Sequence, residues 1–284
     1  MPSLTLTPSN HDRDSANMTY VYPVVSRRAG GVSVGVNLNP NNACNWACVY
    51  CQVPDLQRGT APAIDLTQLE AELRALLSHI IHGDFMQTRV PEGARRLNDI
   101  ALSGNGEPTS AREFPDVIEL IGRVMADFDL AGTIKLVLIT NGSLVDRPRV
   151  QAGLTKMAAL KGEVWFKFDS ATASGMRAIN QTRIAPEMQF KRLAASSKLC
   201  PTWLQTCLFA RAGAPPSADE LAAYLAAVAR IQREQLPVQG VLLYGLARPS
   251  MQAQAEQLSA LSADWLEQFA TQIRAAGLPV KVAP

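Results

Sequence analysis

The sequence predicts an α/β fold whose parallel sheet carries the functional residues along one edge. Apolar, strand-like segments alternate about six times with helical segments, and no Gly- or Ser-rich linker interrupts them. Such alternation builds parallel sheets through right-handed crossovers. Chemically distinctive residues repeatedly follow strands, which is where parallel barrels bind their ligands. A barrel-type arrangement is therefore favoured, and a doubly wound open sheet is the alternative.

The composition indicates one compact body. The chain has 284 residues, of which 47% are hydrophobic and 18% are charged, and this content is ample for a large core. Residues 1–19 are rich in Ser, Thr, Asn and Asp without apolar periodicity, so we expect a disordered leader there. Residues 20–284 should form the folded domain.

Charge and targeting signals restrict the possible partners and the compartment. The formal net charge of +2 is too small to indicate a nucleic-acid partner. We find neither a signal peptide nor an apolar stretch long enough to cross a bilayer. The five cysteines are an odd number without the spacing of a disulfide framework. We therefore expect a cytoplasmic protein without a membrane partner.

Periodicity and capping residues set the elements of the first half. Alternating branched residues predict a strand over 31–38, and two further apolar runs predict strands over 98–103 and 135–139. Helical periodicity covers 65–77, with Asp65 or Thr67 as the cap and Gly83 as the end. A second amphipathic helix covers 114–128.

The second half repeats the pattern. Strands are expected over 163–169, over 201–209 and in the segment 238–249, with a possible last strand near 277–282. Helices are expected over 150–160, around 190–193, over 217–233 and over 258–276. Ser217 followed by Glu220 reads as a capping box.

Three cysteines, Cys44, Cys48 and Cys51, lie within eight residues. Structural zinc requires four ligands, usually completed by a second Cys or His pair, and no such pair lies near these cysteines. A cluster of four irons and four sulfides is also bound by cysteines, and three thiolates would leave one iron free for chemistry. This spacing therefore favours an iron–sulfur cluster over zinc or free thiols.

The Cys-x3-Cys-x2-Cys motif, with Tyr50 before its last cysteine, resembles the signature of the radical S-adenosylmethionine (SAM) enzymes. The residues around it are similar to bacterial relatives of the wyosine-synthesising tRNA enzymes. These flanking stretches are Ser26-Arg27-Arg28, Gly31 to Val36 and Gln52-Val53-Pro54. The likeness runs from about Val21 to the C-terminus.

The resemblance implies a fold, two cofactors and a reaction. It implies a partial (β/α)6 TIM-like barrel in which Cys44, Cys48 and Cys51 bind a [4Fe–4S] cluster. SAM would chelate the free iron, and reductive cleavage would give a 5′-deoxyadenosyl radical that abstracts hydrogen from the substrate. The sequence shows no flavodoxin-like domain, so we expect an external one-electron reductant of flavodoxin or ferredoxin type. The substrate stays undecided between a small molecule and RNA.

Two strand-end motifs become SAM-binding candidates through this resemblance. Gly104, Asn105, Gly106 and Glu107 resemble the Gly-Gly-Glu-Pro element that contacts the methionine end of SAM. Taken alone, the stretch would be an ordinary turn in which glycines permit close backbone approach. The second motif contains Thr140, Asn141 and Gly142, and by itself Asn-Gly is only a turn signal. Tyr50 should lie beside the adenine.

Three further residues are candidates for catalysis, and one for cofactor binding. Lys167 lies in an aromatic strand, and an inward lysine is costly without a partner, so it is either paired with Asp169 or faces solvent. Asp169 could instead contact a ribose, and Ser170 is a cofactor candidate beside it. Arg248 could hold a carboxylate or phosphate, or be a surface residue.

The remaining chemical residues have simpler interpretations. Cys200 and Cys207 are expected to be buried small hydrophobes, and the alternative is a substrate-facing thiol or a ligand supplied to a partner. His79 and His82 are expected to interact with the end of a helix, since metal binding needs more ligands. An iron–sulfur electron carrier or structural protein without SAM chemistry is the alternative function, and a nucleic-acid-binding module is a third hypothesis.

Overall fold

The computed structural model describes residues 5–6, 16–26 and 30–283. Arg27, Arg28 and most of the expected leader therefore lie outside the described residues. Within the leader, Leu6 is buried and its N–H donates to the carbonyl of Arg89 at 2.8 Å. No helix in the described ranges is long and apolar enough to cross a membrane.

One eight-stranded sheet organises the molecule, and its strands are ordered as they occur in the chain. The first pair is antiparallel and every later pair is parallel. The strands are β1 (Val21–Ser26), β2 (Gly31–Val36), β3 (Leu97–Leu102), β4 (Lys135–Thr140), β5 (Glu163–Lys167), β6 (Thr202–Cys207), β7 (Val238–Tyr244) and β8 (Val280–Ala283). Two short strand pairs join Ala43–Cys44 to Gln57–Arg58 and Ala210–Arg211 to Leu258–Ser259.

Eight helices connect or flank these strands in the described chain. They are α1 (Leu66–His82), α2 (Phe85–Arg89), α3 (Phe114–Asp127), α4 (Pro148–Ala159), α5 (Ala173–Asn180), α6 (Pro186–Leu199), α7 (Ala218–Arg233) and α8 (Ala263–Ala275). Short 3-10 turns cover Glu92–Ala94, Pro108–Ser110 and Ala255–Gln257. Asp65 caps α1 by accepting from the Gln68 N–H, as one of the two predicted caps.

The main core lies between the sheet and its helices. The buried face of α1 carries Leu69, Leu73 and Leu77 at helical spacing, and these pack with strand residues such as Ile100 and Leu138. The opposite, inner face of the sheet surrounds a cavity. Residues from both halves of the sheet line it, so the sheet is curled.

Tyr22 on the antiparallel strand β1 reaches into this cavity. It pairs with Gly35 of β2, and a Cβ atom at Gly35 would lie 2.2 Å from the tyrosine ring. The Tyr22 hydroxyl makes a 2.9 Å hydrogen bond with the Ser103 hydroxyl at the end of β3. Glycine at position 35 therefore makes room for an aromatic side chain inside the curl.

The predicted partial barrel is confirmed, and its strand count needs correction. Six strands and a possible last strand near 277–282 were expected; β8 is that last strand, and β1 adds an antiparallel edge, so the sheet has eight strands. Pro23 lies within β1, and proline is tolerated on an edge strand because the missing N–H is not needed there. The doubly wound open sheet is not observed.

Candidate functional site

The candidate site is a cavity of about 290 Å³ at the carboxyl ends of the parallel strands. All three cysteines of the motif line it. Residues of two loops at the ends of strands line it as well, and we call these the first rim loop (residues 104–107) and the second rim loop (residues 140–142). Residues of the predicted site among the lining are Cys44, Cys48, Tyr50, Cys51, Gly104, Asn105, Gly106, Glu107, Thr140, Asn141, Lys167 and Arg248. Segments far apart in sequence therefore meet at one edge, as expected for a parallel sheet.

The cysteines are partly or fully buried in a small apolar cluster with Trp46 and Phe209. Burial raises the pKa of Cys44 to about 11 and that of Cys48 to about 12. Among the described residues, no three Cys, His, Asp or Glu side chains converge closely enough for a single metal ion. In an iron–sulfur cluster each thiolate binds a different iron, so convergence on one point is not required.

Asparagines join the cysteine loop to the two rim loops. Asn105 Nδ2 donates to Asn42 Oδ1 at 2.6 Å, and Asn141 Nδ2 donates to Asn45 Oδ1 at 2.8 Å. Asn37 Oδ1 accepts from the backbone N–H of Asn105 at 3.0 Å. These bonds fix the three loops relative to one another.

The buried carboxylate of Glu107, in the first rim loop, forms hydrogen bonds with the second rim loop. Its carboxylate accepts from the Thr140 hydroxyl and from the Asn141 N–H, both at 2.6 Å. It also accepts from the Thr109 N–H at 3.1 Å and from the Thr109 hydroxyl at 2.6 Å. Burial raises the pKa of Glu107, although these hydrogen bonds oppose the shift. The Glu107 carboxylate therefore has its hydrogen-bond partners within the protein.

Two glycines of the first rim loop are required by their surroundings. Gly104 has a φ of +153°, and a Cβ there would lie 2.3 Å from Asn37 Oδ1. A Cβ at Gly106 would lie 2.1 Å from the carbonyl oxygen of Ala43. Only glycine lets this loop approach the cysteine loop so closely.

Lys167 is paired inside the site and is not a solvent-facing lysine. Its Nζ donates to the Tyr50 hydroxyl at 2.7 Å and lies 4.0 Å from Asp169 Oδ2. The Tyr50 hydroxyl donates to Asp169 Oδ2 at 2.6 Å. Burial alone would lower the pKa of Lys167, but neighbouring acidic groups, including Tyr244 and Asp169, outweigh it and raise the pKa.

Asn180 extends this network to a cysteine. Its Nδ2 donates to Asp169 Oδ2 at 2.7 Å and approaches Cys48 Sγ at 3.3 Å. A further bond runs from the Cys207 backbone N–H to Asp169 Oδ1 at 2.9 Å. The buried Asp169 carboxylate therefore connects the cysteine loop with strands β5 and β6.

The connector between β7 and α8 holds the cysteine loop from the other side. The Met251 N–H donates to the carbonyl of Cys51 at 2.9 Å, and the Ser250 hydroxyl donates to the carbonyl of Val49 at 2.7 Å. Gln252 Nε2 donates to the carbonyls of Cys51 at 3.2 Å and Val53 at 2.8 Å. We call residues 250–252 the strap.

Several predicted residues lie beside the cavity and not on its wall. Gly142, Asp169 and Ser170 are absent from the described lining, and the Ser170 hydroxyl donates to Glu220 at 2.7 Å. Glu220 thus binds Ser170 and does not close the expected capping box, although the Ser217 hydroxyl does accept from the Glu220 N–H. These assignments to cofactor binding stay predictions.

The remaining cysteines are both buried, but only Cys200 lies away from the cavity. Cys200 is buried and donates to the carbonyl of Gly162 at 3.4 Å. Cys207 is also buried, and its side chain lines the cavity. His79 and His82 lie in the last turn of α1, where His79 Nε2 lies 3.1 Å from Asp84 Oδ1.

Sequence reasoning missed the asparagines before the motif and the strap. Asn37 fell inside the strand expected over 31–38, Asn39 began a turn-rich segment over 39–42, and nothing local distinguished Ser250 or Gln252. Their partners are far away in sequence: Ser250 bonds a residue 201 positions earlier. Asn-rich turns ahead of the cysteines were the one available signal.

Curated relatives cover part of the chain. A UPF0026 protein of Helicobacter pylori strain J99 is 31% identical over 147 residues, which are 51% of this chain and 42% of that protein. A UPF0026 protein of Methanocaldococcus jannaschii is 28% identical over 159 residues, which are 56% of this chain and 43% of that protein. The matches thus span less than half the length of these relatives. No family model matches the chain.

Solved structures match over most of the chain. A structure of TYW1 with a lysine-pyruvate adduct bound has a TM-score of 0.57 at 17% identity, covering 95% of this chain and 79% of that one. A radical SAM methyltransferase from Sphaerobacter thermophilus has a TM-score of 0.58 at 13% identity, covering 89% and 66%. The chain therefore has the partial-barrel fold of radical SAM enzymes. The fold that the cysteine motif implied is confirmed.

Proposed function

We propose that this chain is a radical SAM enzyme. Cys44, Cys48 and Cys51 would hold a [4Fe–4S] cluster. The chemistry that the cluster would supply is the reductive cleavage of SAM to a 5′-deoxyadenosyl radical, which would abstract hydrogen from a substrate. The observation that carries the proposal is the meeting of the three motif cysteines and both rim loops around one cavity. The fold similarity supports the same conclusion.

The residues present fit both cofactors. The three thiols are soft ligands that suit an iron–sulfur cluster, and they line one wall of the cavity. Trp46 Nε1 is a buried donor without a partner among the described residues, and Trp46 lines the same wall. An acceptor on a bound group would satisfy it. Gly104 and Gly106 line the same cavity, and the absence of side chains there lets their loop approach the cysteine loop closely.

In this proposal the protein supplies orientation, and the cofactors supply the difficult chemistry. Gly104, Asn105 and Gly106 would bind the methionine end of SAM, and Tyr50 would bind on the adenine side. Glu107 keeps the two rim loops at a fixed separation through its hydrogen bonds. The network of Asp169 and Asn180 holds Tyr50 and Cys48 in place.

Lys167 acts as a buried cation in this scheme. TYW1 has been observed with a lysine-pyruvate adduct, and Lys167 is the lysine among the described residues that line this cavity. A lysine forms such an adduct through its neutral amine, whereas the raised pKa of Lys167 keeps it protonated. We therefore assign Lys167 to electrostatic positioning of Tyr50 and Asp169.

The proposal includes an external one-electron reductant of flavodoxin or ferredoxin type. The substrate reaches the cavity from the open rim, and both a small molecule and an RNA end are compatible with that access. Arg248 lines the rim, where its guanidinium is suited to a carboxylate or phosphate group on the substrate.

The test is formation of 5′-deoxyadenosine. Protein reconstituted anaerobically with iron and sulfide is reduced with dithionite and incubated with SAM, and the nucleoside is quantified by mass spectrometry. C48A should lower the yield by at least about 100-fold, because losing even a hydrogen-bond partner of a metal ligand costs about 10–100-fold. C200S is the matched control, since Cys200 is buried away from the cavity and should leave the yield unchanged.

Spectroscopy separates this function from an electron carrier. A cluster with one open iron should change its electron paramagnetic resonance signal when SAM is added to the reduced protein. A stable signal that ignores SAM, together with no 5′-deoxyadenosine, would show that the cluster serves electron transfer or structure instead.

A further inference from the structure

Three arginines lie beside the cysteine loop and outside the cavity. Arg58 pairs with Cys44 in a short parallel strand pair, Arg177 lies in helix α5, and Arg183 follows the end of that helix. All three residues are exposed, and none of them is among the described residues that line the cavity. We call Arg58, Arg177 and Arg183 the arginine patch.

Arg58 joins the two parts of the arginine patch. Its guanidinium donates to the carbonyl of Asn45 at 2.8 Å and also to the carbonyl of Gln181. Gln181 lies four residues after Arg177, at the end of α5, and two residues before Arg183. Residues four apart on a helix are neighbours about 6 Å apart, and two residues of extended chain span at most about 7 Å. The three arginines therefore lie near one another, around Gln181.

The arginine patch is close to the motif cysteines because α5 packs directly on the cysteine loop. The carbonyl of Ile179, near the end of α5, accepts from the Val49 N–H at 2.8 Å. Asn45, whose carbonyl binds Arg58, is the neighbour of Cys44 in the chain. A molecule bound to the arginine patch would therefore face the cysteines from outside the cavity.

The described chain does not neutralise the charge of the arginine patch. None of its arginines forms an ion pair with a described residue. Of the nearby acids, Glu187 is paired with Arg230 at 2.6 Å, and Glu220, at the start of α5, accepts from two hydroxyl groups. Asp55, three residues before Arg58, is exposed. Three arginines against Asp55 alone leave two positive charges in excess.

We propose that the arginine patch is the docking face for an acidic one-electron carrier protein. The inference rests on the proposed function, because it gives the external reductant a place on this chain. A carrier protein is far too large to enter a cavity of about 290 Å³, so its electron has to come from an outer face close to the cysteines. The carrier loses one electron and the cluster gains it, and no bond is made or broken.

The position of the arginine patch favours a carrier over a substrate. A substrate must present an atom inside the cavity, and the arginine that lines the cavity is Arg248, which is not part of the patch. An electron donor needs only a close approach to the thiolates. Carrier and substrate therefore use different faces, so both can be bound at once. An RNA held by its phosphate groups is the competing occupant of a basic face.

Binding of a flavodoxin tests the docking face. An acidic, fluorescently labelled flavodoxin is titrated with the reconstituted protein, and its anisotropy gives the Kd. R177E/R183E should raise this Kd at least about tenfold, because attraction across the interface becomes repulsion between like charges. R233E/K198E is the matched control: it makes the same charge change in the last turns of α7 and α6 and should leave the Kd unchanged. Equal Kd values for R177E/R183E and the wild type would overturn the proposal.

Reduction kinetics give a second readout. The rate of cluster reduction by reduced flavodoxin, divided by the rate with dithionite, should fall at least about tenfold in R177E/R183E, since electrostatic steering changes association rates by about 10–1,000-fold. Dithionite is small and needs no docking face, so the ratio removes any effect of the substitutions on the cluster itself. Raising the salt concentration from about 50 to about 200 mM should lower the ratio for the wild type, because exposed charges are screened. A ratio that neither salt nor R177E/R183E changes would contradict the docking face.

Two competition experiments test the choice of occupant. SAM should not displace flavodoxin, because the arginine patch does not line the cavity, and displacement would place the carrier at the cavity mouth instead. A labelled RNA oligonucleotide should not displace flavodoxin either. If R177E/R183E abolishes RNA binding and leaves flavodoxin binding unchanged, the patch is a nucleic-acid face and the proposal is wrong.

Failure of this inference is distinguishable from failure of the proposed function. The proposed function fails if no 5′-deoxyadenosine forms with dithionite as the reductant. The inference alone fails if the nucleoside forms and flavodoxin binding ignores the arginine patch. Circular dichroism and iron content show whether each variant is folded and loaded. If R177E/R183E is not folded, R177Q/R183Q removes the two charges without reversing them and should still raise the Kd severalfold.

Discussion

Asn180 is the side chain through which the network behind the site reaches a cysteine. Its amide is shared between Asp169 Oδ2 and Cys48 Sγ, and the residue is 1% exposed. Hydrogen bonds to cluster sulfurs stabilise the more negative, reduced state and so raise the reduction potential. Asn180 is therefore suited to adjusting how readily the cluster accepts an electron.

We expect N180L to make the cluster harder to reduce. Loss of about 1 kcal/mol of preferential stabilisation corresponds to roughly 40 mV for a one-electron couple, so the potential should become more negative by about that amount. Spectroelectrochemical titration measures the shift. Q87A, which changes an exposed side chain, is the control, and an unchanged or more positive potential in N180L would contradict the role.

Glu107 should leave a signature in the pH dependence of stability. Its pKa is raised in the folded protein above the ordinary value of 4.5, so the folded state holds the proton more tightly than the unfolded chain does. The resulting stabilisation is complete below about pH 4.5 and is lost as the pH rises through the folded pKa.

The comparison with E107Q isolates this contribution, because glutamine does not titrate. The free energy of unfolding of the wild type minus that of E107Q should fall as the pH rises above 4.5. Urea unfolding at several pH values measures it. A difference that is constant or increases with pH would mean that Glu107 is not held in its protonated form by burial.

At the scale of elements, the strap joins the C-terminal third of the chain to the cysteine loop. In the described part of that third, it is the segment that does so through several side-chain donors. The single side chain of Gln252 donates to two carbonyls of this loop, those of Cys51 and Val53. Cys51 is a loop residue whose backbone is otherwise held by a short turn to Cys48. The strap should therefore limit how far the third thiolate moves.

The reconstituted Q252A variant should release iron faster than the wild type. Removing both donated bonds costs about 1–3 kcal/mol, since each net hydrogen bond contributes about 0.5–1.5 kcal/mol. Iron release to a colorimetric chelator should accelerate severalfold. Q254A, whose side chain forms no capping bond in the same connector, is the control. Equal release rates in Q252A and Q254A would rule out a retaining role.

The first rim loop should be intolerant of any side chain at Gly106. A Cβ there would meet the Ala43 carbonyl at 2.1 Å, so G106A forces the cysteine loop away and should cost about 2 kcal/mol. G93A is the control, because a Cβ at Gly93 meets nothing within 4 Å. Thermal unfolding should show a lower Tm for G106A alone, and equal values would refute the close approach.

Elements with local signals were predicted well. Asp65 and Ser217 cap the helices that their sequence context indicated, and the strands follow their apolar runs. The site was predictable where chemistry is concentrated in sequence, as in Cys44 to Cys51. It was not predictable where distant residues meet, because neither Asn37 nor Gln252 carries a local pattern that reveals its partner.

For the whole molecule, the alternation of strands and helices was enough to predict a curled parallel sheet. The two edges were less predictable. Strand β1 contains Pro23, and the apolar pattern of its residues does not indicate that it pairs antiparallel with β2. Strand β8 is four residues long, so its place beside β7 follows from tertiary packing and not from propensity.

Cofactor binding should stabilise the whole domain. Free SAM at about 100 times its Kd adds about 2.7 kcal/mol to the free energy of unfolding, provided that only the folded protein binds it. For a chain of this size the Tm should rise by roughly 5 °C. Differential scanning calorimetry of the reconstituted protein tests this, and S-adenosylmethionine should have no effect after the iron is removed with a chelator.

The pairing of Tyr22 with Gly35 has a consequence for how this scaffold could diversify. On one side of the half-open barrel, the phenol ring of Tyr22 packs over Gly35, a residue without a side chain. The width of the cavity on this side therefore depends on the side chain at position 22. A descendant carrying a smaller residue at position 22 would admit bulkier molecules with the same eight strands.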